Sequence, residues 1–174
     1  MNDNAIAIMN AAEKRMRKSG FNGFSFREIA EDVGVKSSSV HYHFPTKEAL
    51  AAAVIRRYSE EVTETIRRGF ETESDPIKVW TQAFRGTIHS KGKICPCAVL
   101  GASSRDLPRE VAAEVKAFFQ MCVDTLVEKG LSPNKAAEVL AIITGAMVVT
   151  NALGDPSHYD RATSELLRGR QPTR

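Results

Sequence analysis

The sequence predicts an all-α fold, in which two short helices meet at a tight turn and a bundle of longer helices follows. Three observations carry this expectation. Apolar residues recur at helical spacing along most of the chain. Glycines and prolines fall between the periodic segments. No run of β-branched residues alternates with polar ones as a half-buried strand would. At 174 residues the chain is long enough to bury a core, either as one domain or as a small domain joined to a larger one.

The first helix is expected over 4–19, capped by Asp3 or Asn4 and closed by Gly20, with Ile8, Met9, Ala12 and Met16 inward. Lys14, Arg15, Arg17 and Lys18 read as a solvated face whose charges suit the C-terminal end of the helix dipole. Phe21 and Phe24 pin the turn that follows. Ser25 with Glu28 three residues on is a capping box, so a helix starts near Phe26 and buries Phe26, Ile29, Ala30 and Val33 before turning at Gly34. A second short helix runs from Ser37, its expected cap, to about Phe44, where Pro45 stops it. Val35, Val40 and Phe44 face the first helix, leaving Ser37, Ser38, Ser39, His41 and His43 outward. Ordinary solvation would fill such a face with Lys and Glu. Small donors near a helix N-terminus suit close approach to phosphates and base edges, and a glycine turn joining two such helices is a helix-turn-helix arrangement.

The stretches I-A-E-D-V-G-V and S-V-H-Y-H-F-P-T-K-E-A-L resemble the N-terminal domain of the tetracycline-repressor (TetR) family: a glycine-valine turn, an aromatic-aromatic-His-Phe run, then a Lys-Glu-x-Leu helix start. The similarity covers the first third of the chain. His41 stands where the family usually has the first tyrosine of its aromatic pair, and Lys36 stands where a small capping residue is common. The resemblance implies an N-terminal helix-turn-helix DNA-binding domain over 1–46, a linking helix over 47–70 and a C-terminal helical ligand-binding and dimerisation domain over 75–174. It places Arg27, Ser37, Ser38, Ser39 and Tyr42 against bases or phosphates, with His41 on the same face. His43 and Lys47 anchor the backbone, and Phe44 packs the recognition helix in place. It further implies a homodimeric, cytoplasmic, sequence-specific repressor that a small-molecule or reactive effector releases from double-stranded operator DNA.

Thr46 caps the linking helix, whose stripe is Leu50, Val54, Tyr58, Val62 and Ile66. In the resembled family its tilt sets the spacing of two heads in a dimer. Residues 71–75 form a polar break, and Asp75-Pro76 starts a helix carrying Ile77, Trp80, Phe84 and Ile88 until it dissolves at S-K-G-K over 90–93. That stripe is either core or the lining of an effector cavity, together with Cys95, Cys97, Phe118 and Cys122. Cys95-Pro96-Cys97 opens a short helix to about residue 105, and Leu107-Pro108 opens a long one to about 129. Ser132-Pro133 starts the last long helix, stopped by Gly154. This helix is apolar on more than one face and carries a small-residue stripe of Ala141, Gly145, Val149 and Ala152, so a second copy of the chain is the expected cover. The interface expected is a four-helix one from the two long C-terminal helices of each protomer, adding Phe119 and Leu126. A further short helix is expected over 160–168, then a disordered tail.

Net charge is +3 and pI near 8.8, too mild to indicate nucleic acid alone. Distribution says more: over 1–58 there are nine basic residues against six acidic, the whole excess. Nothing at the N-terminus resembles a signal peptide, since Asp3 and the early charges break any apolar run, and the most apolar stretch, 139–149, is shorter than the roughly 20 residues of a bilayer span. Three cysteines argue against a disulfide framework. No nucleophile elbow, Walker A loop, dinucleotide fingerprint or H-E-x-x-H is present, so neither an enzyme nor a cofactor is expected. I-C-P-C-A-V-L-G-A is similar to a stretch in a TetR subset that senses electrophiles or oxidants. Cys95 at a helix N-cap would have a lowered pKa and, if exposed, would be reactive, with Cys97 or Cys122 as partner. The alternatives are small apolar fillers of a packed helix, or a cysteine-based redox or metal sensor using His89; no metal is expected, because a fourth ligand is lacking.

Overall fold

A computed structural model of the chain describes residues 3–91 and 94–168. Among these residues there are nine α-helices and no strand: α1 (Asp3–Ser19), α2 (Phe26–Val33), α3 (Ser37–His43), α4 (Lys47–Gly69), α5 (Pro76–Lys91), α6 (Pro96–Gly101), α7 (Arg109–Glu128), α8 (Pro133–Leu153) and α9 (Ser157–Arg168). Short 3-10 turns lie at Phe21–Gly23 and Ser104–Asp106.

Local chemistry accounts for most boundaries. The Ser25–Glu28 capping box is formed in both directions, and Gly34 closes α2 at φ 77°, a left-handed geometry that glycine adopts without a Cβ penalty. Thr46 Oγ1 accepts from the Ala49 N–H at 3.0 Å to start α4, and Ser132 Oγ accepts from the Lys135 N–H at 3.2 Å to start α8. Asp75 Oδ1 accepts from the Ile77 N–H at 2.9 Å behind Pro76.

Four boundaries differ from expectation. Lys36, not Ser37, is the N-cap of α3, and it caps without a side-chain bond; its carbonyl accepts from Ser39 N–H at 2.9 Å, so Ser37 is already helical. α6 stops at Gly101 instead of near residue 105, and Pro108 is the N-cap of α7, so Arg109 is that helix's first residue. α9 begins earlier than expected because Asp155 accepts from both Ser157 N–H (2.9 Å) and Ser157 Oγ (2.6 Å). The expected tail beyond 168 and residues 92–93 of the S-K-G-K break lie outside the described residues.

α4 is the spine: it packs against α1 on the head side and against α5 and α7 in the body, while α8 lies chiefly against α9. Buried residues from Ile8 in α1 to Leu166 in α9 belong to one continuous hydrophobic cluster. α9 is fastened through Tyr159, fully buried, whose hydroxyl donates to the Thr81 carbonyl at 3.0 Å, and through Asp160, which accepts from Arg85 at 2.6 Å. α8 has the expected bounds, but the expectation that its apolar stretch is too short for a span is corrected: the 21-residue helix is long and apolar enough to cross a bilayer by those criteria alone. Here it buries Ala136, Val139, Ile143, Ala146, Met147 and Thr150 as a core helix does.

Candidate nucleic-acid interface

α2 and α3 form the helix-turn-helix, and the burial pattern decides which side chains face out. Val40 is fully buried and Phe44 half-buried, so α3 is held by its apolar side. Ser37, Ser38, His41 and Tyr42 are exposed, Tyr42 at 85%, while Ser39 and His43 are half-buried. An aromatic ring left that open gains nothing from the chain's own core. His41 lies edge-on to Phe26 with ring centroids 4.7 Å apart, and Tyr42 meets His43 in a T at 5.1 Å. Arg27 on α2 is exposed and pairs with Glu31 at 3.1 Å; such a pair contributes little and releases its guanidinium readily.

Lys47, in the first turn of α4, behaves differently. Its Nζ stands 4.5 Å from the Phe21 ring centroid and 4.8 Å from that of Phe24. Burial pushes this ammonium down, and Glu48 and Glu28 push back without restoring its ordinary value. The aromatic pair thereby fixes where the charge is held, in the first turn of the helix that follows α3.

The supports of this face were not all legible. Arg15, read as solvated, donates to Glu28 at 2.9 Å and to Asp32 at 2.6 Å, clamping α1 to α2. The hydrogen bond from Ser25, with Arg15 behind it, holds Glu28 below the usual carboxylate range, and Arg15 does the same for Asp32. Arg17, also read as solvated, has a side chain only 8% exposed. It bonds Glu13 at 2.7 Å, donates to the Ile94 carbonyl, and lies 5.0 Å over the Tyr58 ring; Arg57 takes the other Glu13 oxygen at 2.8 Å. The i, i+4 spacing of Glu13 and Arg17 was the one local signal for this network.

In the body, the expected effector residues Trp80, Phe84, Ile88, Cys95, Cys97, Phe118 and Cys122 are all buried. Trp80 and Phe84 stack at 6.0 Å, and Phe118 lies against Tyr58 at 5.6 Å. The exposure on which a reactive Cys95 depended is not met: all three cysteines are free and closed off from solvent, as packed fillers of the body would be. Burial pushes the Cys95 thiol up, but the Cys97 thiol, the Tyr58 hydroxyl and the Ala98 and Cys97 N–H groups outweigh it and leave it low. Burial and Cys95 together drive Cys97 well above its ordinary value, and burial drives Cys122 up. His89 is turned to Asp160 at 3.3 Å, and among the described residues no group of three His, Cys, Asp or Glu is arranged to hold a metal.

The expected dimer residues divide. Ala141, Gly145, Val149 and Ala152 lie exposed along α8, joined by Val148 and Leu153. Leu126 is fully buried in the chain's own core, so it has no face to offer a second copy. Phe119 is half-buried against Phe118 and Gly101.

Residues 8–54 match the family described as bacterial regulatory proteins, tetR family. The chain is similar to the HTH-type transcriptional regulator RutR of Escherichia coli (strain K12), with 43% identity over 51 residues, 29% of this chain and 24% of that protein. That match thus spans about a quarter of RutR's length. Similarity to the HTH-type transcriptional regulator LmrA of Bacillus subtilis (strain 168) is 26% identity over 153 residues, 81% of this chain and 80% of LmrA. Among solved structures, a TetR family transcriptional regulator from Agrobacterium tumefaciens superposes with a TM-score of 0.87 at 27% identity, over 95% of this chain and 96% of the other. A TetR transcriptional regulator from Legionella pneumophila shares the fold with a TM-score of 0.87 at 22% identity, over 98% and 99%.

Proposed function

We propose, from a chain that is a TetR-family protein by its N-terminal domain and its fold, that it acts as a dimeric repressor released from operator DNA by a small molecule. The observation that carries the DNA-binding part is α3: a helix anchored by Val40 that turns serines, His41 and an 85% exposed tyrosine outward beside a positioned lysine. Ser37, Ser38, Ser39 and Arg27 are the candidates for base and phosphate contacts, and Tyr42, His43 and Lys47 for phosphates. His41, edge-on to Phe26, keeps a ring nitrogen available on the same face.

The second copy is proposed to pack on α8, whose exposed Gly145, Val148, Val149 and Leu153 adjoin α9 with its exposed Leu167. Cover from α9 replaces the α7 face expected from the sequence, since Leu126 points inward. For the effector, support comes from buried donors that lack partners: the Trp80 indole N–H and the Thr81 hydroxyl. Leaving such groups unpaired costs about 1–3 kcal/mol each, which a ligand acceptor reaching them would relieve.

The test is a gel shift with fragments of the intergenic DNA flanking the gene. One fragment is expected to bind specifically over competitor DNA, and failure of every fragment would count against the reading. With that fragment, Lys47→Gln is expected to weaken binding about equally on matched and mismatched sequences, and to lower the slope of log affinity against log salt by about 1. Tyr42→Phe should weaken binding uniformly while leaving the salt slope alone. An unchanged slope for Lys47→Gln would remove its phosphate role.

A further inference from the structure

We propose that the groove between the C-terminal ends of α4 and α7 binds small amphipathic carboxylates, with Lys129 receiving the carboxylate. The groove encloses about 370 Å³, within the roughly 300–1,000 Å³ of small-molecule sites. Its floor is apolar: Ile66 of α4 and Phe70 just beyond it, facing Met121 of α7.

The rim decides the ligand. Thr63 Oγ1 donates to the Ser59 carbonyl and Thr125 Oγ1 to the Met121 carbonyl, both at 2.8 Å, so neither hydroxyl proton is free for a guest. Arg67 is held by Glu64 at 2.7 Å and by Glu71 at 2.6 Å. Lys129 is different. Its Nζ stands 4.5 Å from the Phe70 ring centroid, and no described carboxylate pairs with it. An apolar trough therefore ends in an ammonium whose donors are uncommitted. Glu71 also lines the groove but is engaged by Arg67, so a cationic guest would meet Lys129 with no unengaged carboxylate, and a neutral one would leave the ammonium unanswered. A single ammonium balances a single negative charge, which favours a carboxylate over a doubly charged phosphate ester.

The groove walls are α4 and α7, and the other end of α4 carries Lys47 against the head. A molecule bound here touches the same helix that carries Lys47, which gives a covalent route from the groove to the head. This coupling rests on the proposed effector-controlled repression, whereas the binding itself does not.

Calorimetric titration of the full chain with octanoate, octanol and octylamine separates the possibilities. One saturable octanoate site per protomer is expected, with octanol weaker and octylamine weaker still. Lys129→Ala should weaken octanoate by about three- to fivefold, the modest effect of an exposed ion pair. Lys129→Glu should reverse the preference toward octylamine. Lys129 is exposed, so both variants should keep the wild-type melting curve, which is checked alongside. Octanol binding as tightly as octanoate, octanoate affinity unchanged in both variants, or no saturable site would each overturn the proposal. Addition of octanoate to the DNA complex then tests the coupling: release supports it, and binding without release keeps the carboxylate site while excluding it as the effector switch.

Discussion

Gly145→Glu is expected to turn a dimer into a folded monomer and to lower operator affinity by about 100-fold or more, because two linked heads on one operator gain that much over a single head. The structure makes this a clean experiment. A Cβ built at Gly145 meets nothing within 4 Å, so a single chain accommodates the new side chain. Glutamate is also the better helix former by close to 1 kcal/mol, so α8 itself gains if anything. What suffers is a second copy packed on Gly145, Val148 and Val149, which would bury an unpaired carboxylate. Light scattering measures the mass and circular dichroism the fold. A Gly145→Glu protein that still runs as a dimer would exclude this face of α8 from the interface.

The second large effect is expected at Glu13. Its carboxylate accepts from Arg17 Nε at 2.9 Å and Nη2 at 2.7 Å and from Arg57 Nη2 at 2.8 Å, with all three side chains less than a fifth exposed. Glu13→Ala strips Arg17 of its carboxylate partner and leaves Arg57 only the longer contact to Glu61 at 3.6 Å. Removing one partner of a buried network costs about 3 kcal/mol at the low end of the usual range, appropriate here because the site is not fully dry. For a chain of this size that lowers Tm by about 6–12 °C. The pH dependence follows from the direction of the shift. Burial pushes the Glu13 carboxyl up, but Arg17 and Arg57 outweigh it and hold it below its ordinary 4.5. A carboxyl more acidic when folded than when unfolded contributes its full stability above pH 4.5 and loses it as pH falls through the lower folded value. The destabilisation by Glu13→Ala should therefore shrink as pH falls below about 4.5. Thermal melts at neutral and acid pH measure it; an equal penalty at both would mean that Glu13 acts by packing alone.

The contrast between these sites shows what was legible in the sequence. The helix-turn-helix, the Ser25–Glu28 box, Thr46 and Ser132 as caps, and Gly34 and Gly154 as stops were readable because each is a rule over three or four neighbours. Glu13, Arg17 and Arg57 were not read as a unit. Their network joins α1 to α4 across 44 positions, and local spacing gave only the Glu13–Arg17 half. Leu126 illustrates another limit: helical period marks a residue as inward, without saying whether this chain or a partner covers it. The same ambiguity applied to Cys95, where an N-cap position spoke for a thiolate and only the packing of the body could show it enclosed.

The single hydrophobic cluster from Ile8 to Leu166 has a thermodynamic consequence. Two lobes with separate cores would melt separately, and a ligand on one would leave the other's hydrogen exchange untouched. A shared core instead couples the two lobes, so a single cooperative melt is the expected result for the full chain. A molecule that binds the body then raises the melting temperature of the head with it, and severing the chain after α3 removes the α4 side chains that share the cluster with Ile8, Met9 and Met16.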